Sequence, residues 1–132
     1  MQTQKQKMEK WYKILAQFSI EQNNEQEIKK LYDSIFMENN MDEQQLQEKL
    51  INTYSQFVTE IAKQYENEIP HPGITLADLI DAGNRGLIKA AHRFDKTRGY
   101  QTGCKFTSFA TWYIRMAISE NLNKYQKRKN GI

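Results

Sequence analysis

The stretch Phe106-Thr107-Ser108-Phe109-Ala110-Thr111-Trp112-Tyr113-Ile114-Arg115-Met116-Ala117-Ile118-Ser119-Glu120-Asn121-Leu122 decides the fold class. Advancing about 100° per residue gathers Phe106, Ala110, Ile114, Ala117, Ile118 and Leu122 on one helix face. Phe109, Trp112, Tyr113 and Met116 gather on a second face. An ordinary surface helix needs only the aliphatic stripe, so the aromatic stripe calls for its own account. A central helix buried on both sides is one. A stacking surface for unpaired bases is the other.

Outward from this helix the same period recurs. Thr75-Leu76-Ala77-Asp78 reads as a helix start, with Thr75 accepting the third amide and Asp78 suiting the positive end of the dipole. That helix carries Leu76, Leu79, Ile80, Leu87, Ile88 and Ala91 and ends near Phe94-Asp95. Lys96 to Lys105, with Gly99 and Gly103, reads as a loop, and Pro70-His71-Pro72-Gly73 as another. Leu46, Leu50, Tyr54, Phe57, Ile61 and Tyr65 predict one long helix upstream. Two shorter amphipathic helices precede it, one on Met8, Trp11, Tyr12, Leu15 and Phe18, the other on Ile28, Leu31, Tyr32, Ile35 and Phe36. Glu21 to Glu27 separates these two, and Asn39-Asn40 ends the second. Period-2 alternation is absent, so the expected fold is all-α, a compact domain of about five helices. Residues 1–45 are expected as a helical extension packed on the domain formed by residues 46–132, since faces carrying Trp11, Phe18 and Phe36 must be buried.

Composition narrows the function. The chain of 132 residues has a mean hydropathy of −0.83 and no run of 18 apolar residues, which excludes a membrane span. Cys104 is the sole cysteine, so an internal disulfide is excluded, and a reducing, cytoplasmic location is expected. Two His and one Cys, scattered, make no zinc site, and no other metal or cofactor set is present. No phosphate loop, dinucleotide fingerprint or nucleophile set points to an enzyme, and His92 within a helix reads as structural or solvent-facing. The net charge of +3 hides a split. Residues 1–82 hold 8 Lys+Arg against 14 Asp+Glu, and residues 83–132 hold 11 against 2, balances of −6 and +9. A basic C-terminal third suggests a polyanionic partner, although a solvated cationic face has the same composition. Arg85, Lys89, Arg93, Lys96, Arg98, Lys105 and Arg115 flank the aromatic stripe in sequence. Aromatics that stack and cations that track phosphates suit single-stranded nucleic acid.

Three motifs now carry a resemblance. Leu76-Ala77-Asp78-Leu79-Ile80-Asp81-Ala82-Gly83-Asn84-Arg85-Gly86-Leu87-Ile88-Lys89-Ala90 resembles the core-binding helix of bacterial sigma-70 family transcription initiation factors. Arg98-Gly99-Tyr100 and Lys105 to Arg115 resemble the promoter-melting helix of the same domain, region 2. Ile61-Ala62-Lys63-Gln64-Tyr65 resembles the end of the helix before them. The match covers roughly Leu50 to Leu122, and residues 1–45 match nothing in it.

The resemblance implies a protein that joins core RNA polymerase and captures flipped non-template bases of the −10 promoter element. Phe109 stands where the family places the aromatic that stacks on a flipped adenine, and Trp112 and Tyr113 at the pair propping the upstream edge of the bubble. Thr107 stands where a small polar side chain lines a second base pocket. Arg98, Lys105 and Arg115 become candidate phosphate contacts or structural cations. Met116 replaces a Gln that reads the upstream duplex, Ser119 keeps a small hydroxyl nearby, and Glu120 stands where a positive or neutral residue is common. Asp78, Asp81, Asn84 and Ile88 become the face toward a coiled coil of the largest polymerase subunit, against the plain alternative of a dipole match and a solvated surface. Gln101-Thr102-Gly103-Cys104 reads as an insertion before Lys105. The chain stops at Ile132 without a helix-turn-helix for the −35 element, so a second protein supplying that function, as in a split sigma factor, or a recruiting activator is expected. Two alternatives stand beside this. Gly83-Asn84-Arg85-Gly86 imitates the GXXG loop of an RNA-binding KH module, and a sigma-like decoy would bind polymerase without opening DNA.

Overall fold

Three reciprocal capping boxes start three of the helices. The computed structural model describes residues 3–38, 41–68, 73–94 and 105–129. Thr3 Oγ1 accepts the Gln6 amide at 3.1 Å while Gln6 Oε1 accepts the Thr3 amide at 2.9 Å, opening α1 (Gln4–Glu21). Asp42 and Gln45 exchange the same two bonds at 2.8 and 2.9 Å before α3 (Glu43–Thr53). Thr75 and Asp78 do so at 3.2 and 2.9 Å before α5 (Leu76–Arg93), as the sequence predicts. Each box satisfies amides that a helix start leaves without partners.

The chain forms two compact units, Met1–Thr53 and Tyr54–Ile132. In the first, α1 packs on α2 (Glu25–Tyr32) and on α3. Asn23, at φ 56°, turns the chain between α1 and α2, so the expected polar break shrinks to three residues, Gln22 to Asn24. Asn tolerates that left-handed geometry better than most side chains. Glu25 and Glu27 in the first turn of α2, with Lys29 and Lys30 in its last, match the helix dipole. Trp11, Ile14, Leu15, Leu31, Ile35, Leu46 and Leu50 are buried in this unit. Of the two shorter helices, the first packs on α3, the segment carrying Leu46 and Leu50. The second departs from the expected regular helix, continuing as a wider π-helical turn over Asp33–Glu38.

The expected long helix from Leu46 to Tyr65 is interrupted at Tyr54, giving α3 and α4 (Ser55–Glu68). This raises the helix count from about five to six among the described residues. Asn52-Thr53-Tyr54-Ser55 is a run of weak helix formers. The Tyr54 ring is buried against Phe106 at 5.5 Å.

The second unit is built on α4, α5 and α6 (Phe106–Lys129), with the α5–α6 contact the most extensive. Its core holds Tyr54, Val58, Ile61 and Ala62, then Leu79, Ala82, Leu87 and Ala90, then Phe106, Ala110, Ile114, Ile118 and Leu122. The aliphatic face of α6 is the one its period predicts. Val58, not Phe57, supplies the buried position in α4. Gly86 lets α5 and α6 touch backbone to backbone. A Cβ there would collide with the Tyr113 carbonyl oxygen and lie 2.9 Å from Ile114 Cα. At Gly83 a Cβ would meet Val58 Cγ1 at 2.7 Å. The described residues contain helices and turns but no strand.

Candidate functional site

Phe106 and Phe109 sit on the first turn of the same helix and part company there. Phe106 is fully buried, and Phe109 is half-buried. A chain of rings connects the two environments. Phe106 packs edge-on against Phe94 at 5.3 Å, Phe94 meets Phe109 at 5.2 Å, and Phe109 meets Tyr113 at 5.1 Å. Tyr113 then contacts Trp112 at 5.0 Å with planes 88° apart. Trp112 is 57% exposed and Met116 37% exposed. The account that buries α6 on both sides is therefore overturned, because its aromatic stripe opens to solvent. The inner rings hold the outer ones, so the exposed end of the stripe is anchored in the core.

The remaining candidates on α6 divide by direction. Arg115 and Ser119 face α4. Arg115 Nη2 donates to Gln64 Oε1 at 3.1 Å, and the Ser119 hydroxyl donates to Tyr65 Oη at 3.4 Å. Tyr65 Oη in turn donates to the Arg115 carbonyl at 3.5 Å. Arg115 thus has a structural partner while remaining exposed. Thr107, half-buried, lies about 160° around the helix from Phe109, away from the stripe. Its carbonyl accepts the Thr111 hydroxyl at 2.7 Å. Lys105 is exposed beside the start of the stripe. Arg98 and the 101–104 segment lie outside the described residues.

On α5, Asp78, Asp81, Asn84 and Ile88 share one side of the helix, and their environments differ. Asp78 is committed to the capping box, and the Thr75 amide and hydroxyl hold its carboxyl below the usual carboxylate range. Asp81 is exposed, and Ile88 is half-buried. Asn84 is half-buried with its Oδ1 buried and without a hydrogen-bond partner among the described residues. An acceptor in that state costs stability unless something completes it. Gly83-Asn84-Arg85-Gly86 is helix interior, with both glycines buried, so it is not the exposed loop a KH module needs. That segment and the absence of a strand among the described residues disfavour the KH reading.

Sequence reasoning named Phe94, Gln64 and Tyr65 but missed their contacts with α6. Phe94 stands 15 residues before Phe109, too far along the chain for helix periodicity to link them. Gln64 and Tyr65 reach α6 only through the packing of α4. Among the described residues no cluster of His, Cys, Asp and Glu is arranged to hold a metal. No helix among them is long and apolar enough to cross a membrane.

Comparison with known proteins adds an independent line. Residues 50–129 match the Sigma-70 region 2 family. The chain is 43% identical over 72 residues to the RNA polymerase sigma factor SigA of Microcystis aeruginosa, a stretch covering 54% of this chain and 15% of that protein. It is 37% identical over 81 residues to the RNA polymerase principal sigma factor HrdC of Streptomyces coelicolor, covering 61% of this chain and 22% of that protein. The chain therefore spans less than a quarter of the length of these relatives. No solved structure matches it significantly. The family match runs over more than half of the chain and takes in α4, α5 and α6, the helices that carry the aromatic stripe and the α5 face. The chain belongs to the Sigma-70 region 2 family.

Proposed function

We propose that the chain is a sigma-like transcription initiation protein that binds core RNA polymerase and captures flipped non-template bases of a −10 promoter element. It does so without catalysis, in the compartment where the polymerase works, the cytoplasm. The observation that carries this reading is the core-anchored aromatic ladder ending in exposed Trp112, in a chain whose relatives are RNA polymerase sigma factors.

The physical case is one of offsetting terms. Unstacking a base costs a few kcal/mol, and aromatic stacking returns about 1–3 kcal/mol per base. Phe109, Trp112 and Tyr113 form the stacking surface, and Lys105 contributes positive charge at its start. Met116 extends the same surface by an apolar, polarisable side chain. On α5, exposed Asp81, half-buried Ile88 and the unpaired Asn84 Oδ1 form the face for the polymerase's largest-subunit coiled coil. A polar surface with one apolar anchor and an acceptor awaiting a donor suits such a contact. Asp78 serves that face by starting its helix.

Reconstitution of the full chain with core polymerase on a −10 promoter tests the reading, with polymerase association and permanganate-reactive thymines as readouts. Association together with strand opening is expected. Association without opening would make the chain a decoy, and absence of association would end the proposal.

A further inference from the structure

Two clefts lie along the groove between α5 and α6. The first, of about 170 Å³, is lined by Arg85, Lys89, Tyr113, Met116, Glu120 and Lys124 together with the residues between them. The second, of about 320 Å³, is lined by Asp78, Asp81, Arg85, Asn121, Lys124 and Tyr125 with the Gly73 turn. Arg85, Asn121 and Lys124 line both, so the two are one groove. At one end it meets the aromatic stripe through Tyr113 and Met116.

The cations in this groove are uncommitted. Arg85, Lys89 and Lys124 are exposed and make no hydrogen bond or ion pair among the described residues. Asp81 stands one turn before Arg85, and Glu120 one turn before Lys124, the favourable order for a helical ion pair. Neither pair closes. The one carboxylate that is tied down, Asp78, is bound to Thr75 instead. Arg85 and Lys89 are also four residues apart, a like-charge spacing that disfavours an isolated helix.

We propose that Arg85 and Lys124, with the Asn121 amide between them, form a phosphate clamp for the nucleic-acid strand whose bases meet the aromatic stripe. Arg85 offers a planar fork of donors to phosphate oxygens, Lys124 a point charge, and Asn121 an N–H donor. Lys89, one turn along α5 toward the stripe, leads the backbone from the stacked bases into the clamp. Glu120 flanks the cations and repels a phosphate placed off their line, which sets register. An acidic protein segment is the competing occupant. Continuity of the groove with Tyr113 and Met116 favours nucleic acid. The inference rests on the stacking role of the stripe and adds a separate, charge-borne part of the same interface.

The test uses the full chain and a labelled forked oligonucleotide, duplex with an unpaired non-template −10 strand, bound across a series of salt concentrations. The double variant Arg85→Gln/Lys124→Gln should bind about tenfold more weakly at low salt. Its log affinity should fall less steeply with log salt, by about 1 to 2 in slope, since each phosphate contact contributes about 0.9. Trp112→Ala should weaken binding at every salt concentration and leave the slope unchanged. An unchanged slope in the double variant overturns the clamp. A changed slope there with no effect of Trp112→Ala sustains the clamp and removes the stacking role. If the double variant loses core polymerase with its slope unchanged, the groove takes an acidic protein segment and the clamp is wrong. Both side chains are exposed, and Gln is a good helix former, so circular dichroism should show an unaltered fold.

Discussion

Each compact unit of this protein contains an aromatic cluster, and the two clusters are built differently. In the first unit Tyr12, Tyr32 and Phe36 form a closed triangle, with centroids 5.5, 5.8 and 4.8 Å apart. Tyr12 and Phe36 are half-buried there, and Tyr32 is 46% exposed. In the second unit Phe94, Phe109, Tyr113 and Trp112 form an open line that begins in the core and ends in solvent. The triangle also lies in a chain half of net acidic character, and the line in a strongly basic one. Aromatic content alone therefore does not mark a nucleic-acid surface. The proposed stacking role rests on the anchored base of the line and on the cations near it in sequence.

The comparison can be broken or sharpened by substitution, and the largest effect belongs beneath the open line. Gly86→Ala should destabilise the second unit by about 3 kcal/mol or more, because the new Cβ meets the α6 backbone, which has nowhere to retreat. Gly83→Ala should cost less, since its nearest obstacle is the Val58 side chain. Denaturant unfolding of both variants checks the order. A neutral Gly86→Ala would contradict the close contact on which the positioned stripe depends.

Next in size is the difference between the clusters themselves. Trp112→Ala should lose about 1–3 kcal/mol of binding to a single-stranded −10 oligonucleotide held by the polymerase complex, with stability changed by about 0.5 kcal/mol or less. Phe36→Ala should do the reverse, lowering stability by about 1–3 kcal/mol and leaving oligonucleotide binding intact. Equal losses of binding in the two variants would erase the distinction.

A smaller effect is expected on the α5 face. Asp81→Arg should weaken association with core polymerase by about 1 kcal/mol or more, read by competitive binding, and leave helicity unchanged. The smallest concerns Asp78. Its carboxyl titrates below the usual carboxylate range in the folded chain, so its contribution is complete above the unfolded value and fades as pH falls through the folded one. The thermal stability gap between the native chain and Asp78→Ala should therefore be constant near neutrality and narrow in acid. A gap that widened on acidification would show the cap to be misassigned.

Much of this was legible in the residues. The all-α class followed from period and the lack of alternation, and the α5 start from Thr75 and Asp78. The α6 core face followed from Phe106, Ala110, Ile114, Ile118 and Leu122. These are local properties: a cap acts within four residues, and a helix period repeats along one element. Three motifs in order also carried the family, because identity at fixed spacing survives in the linear chain.

What remained hidden depends on neighbours distant in sequence. Period groups Phe109, Trp112, Tyr113 and Met116 on a face, yet it is silent on how much of that face other helices cover. Only packing leaves Trp112 exposed and puts Phe94 beneath Phe109. Gly83 and Gly86 look like a loop signature until Val58 and the α6 backbone are seen against them. The break at Tyr54 follows from a ring drawn into a core assembled some 50 residues later, which outweighs helix continuity. That Arg115 and Ser119 also have partners on α4, Gln64 and Tyr65, is likewise visible only in the packing. Sequence by itself determined which residues share a face; tertiary structure decided which faces stay open, because burial is a property of the neighbours that arrive.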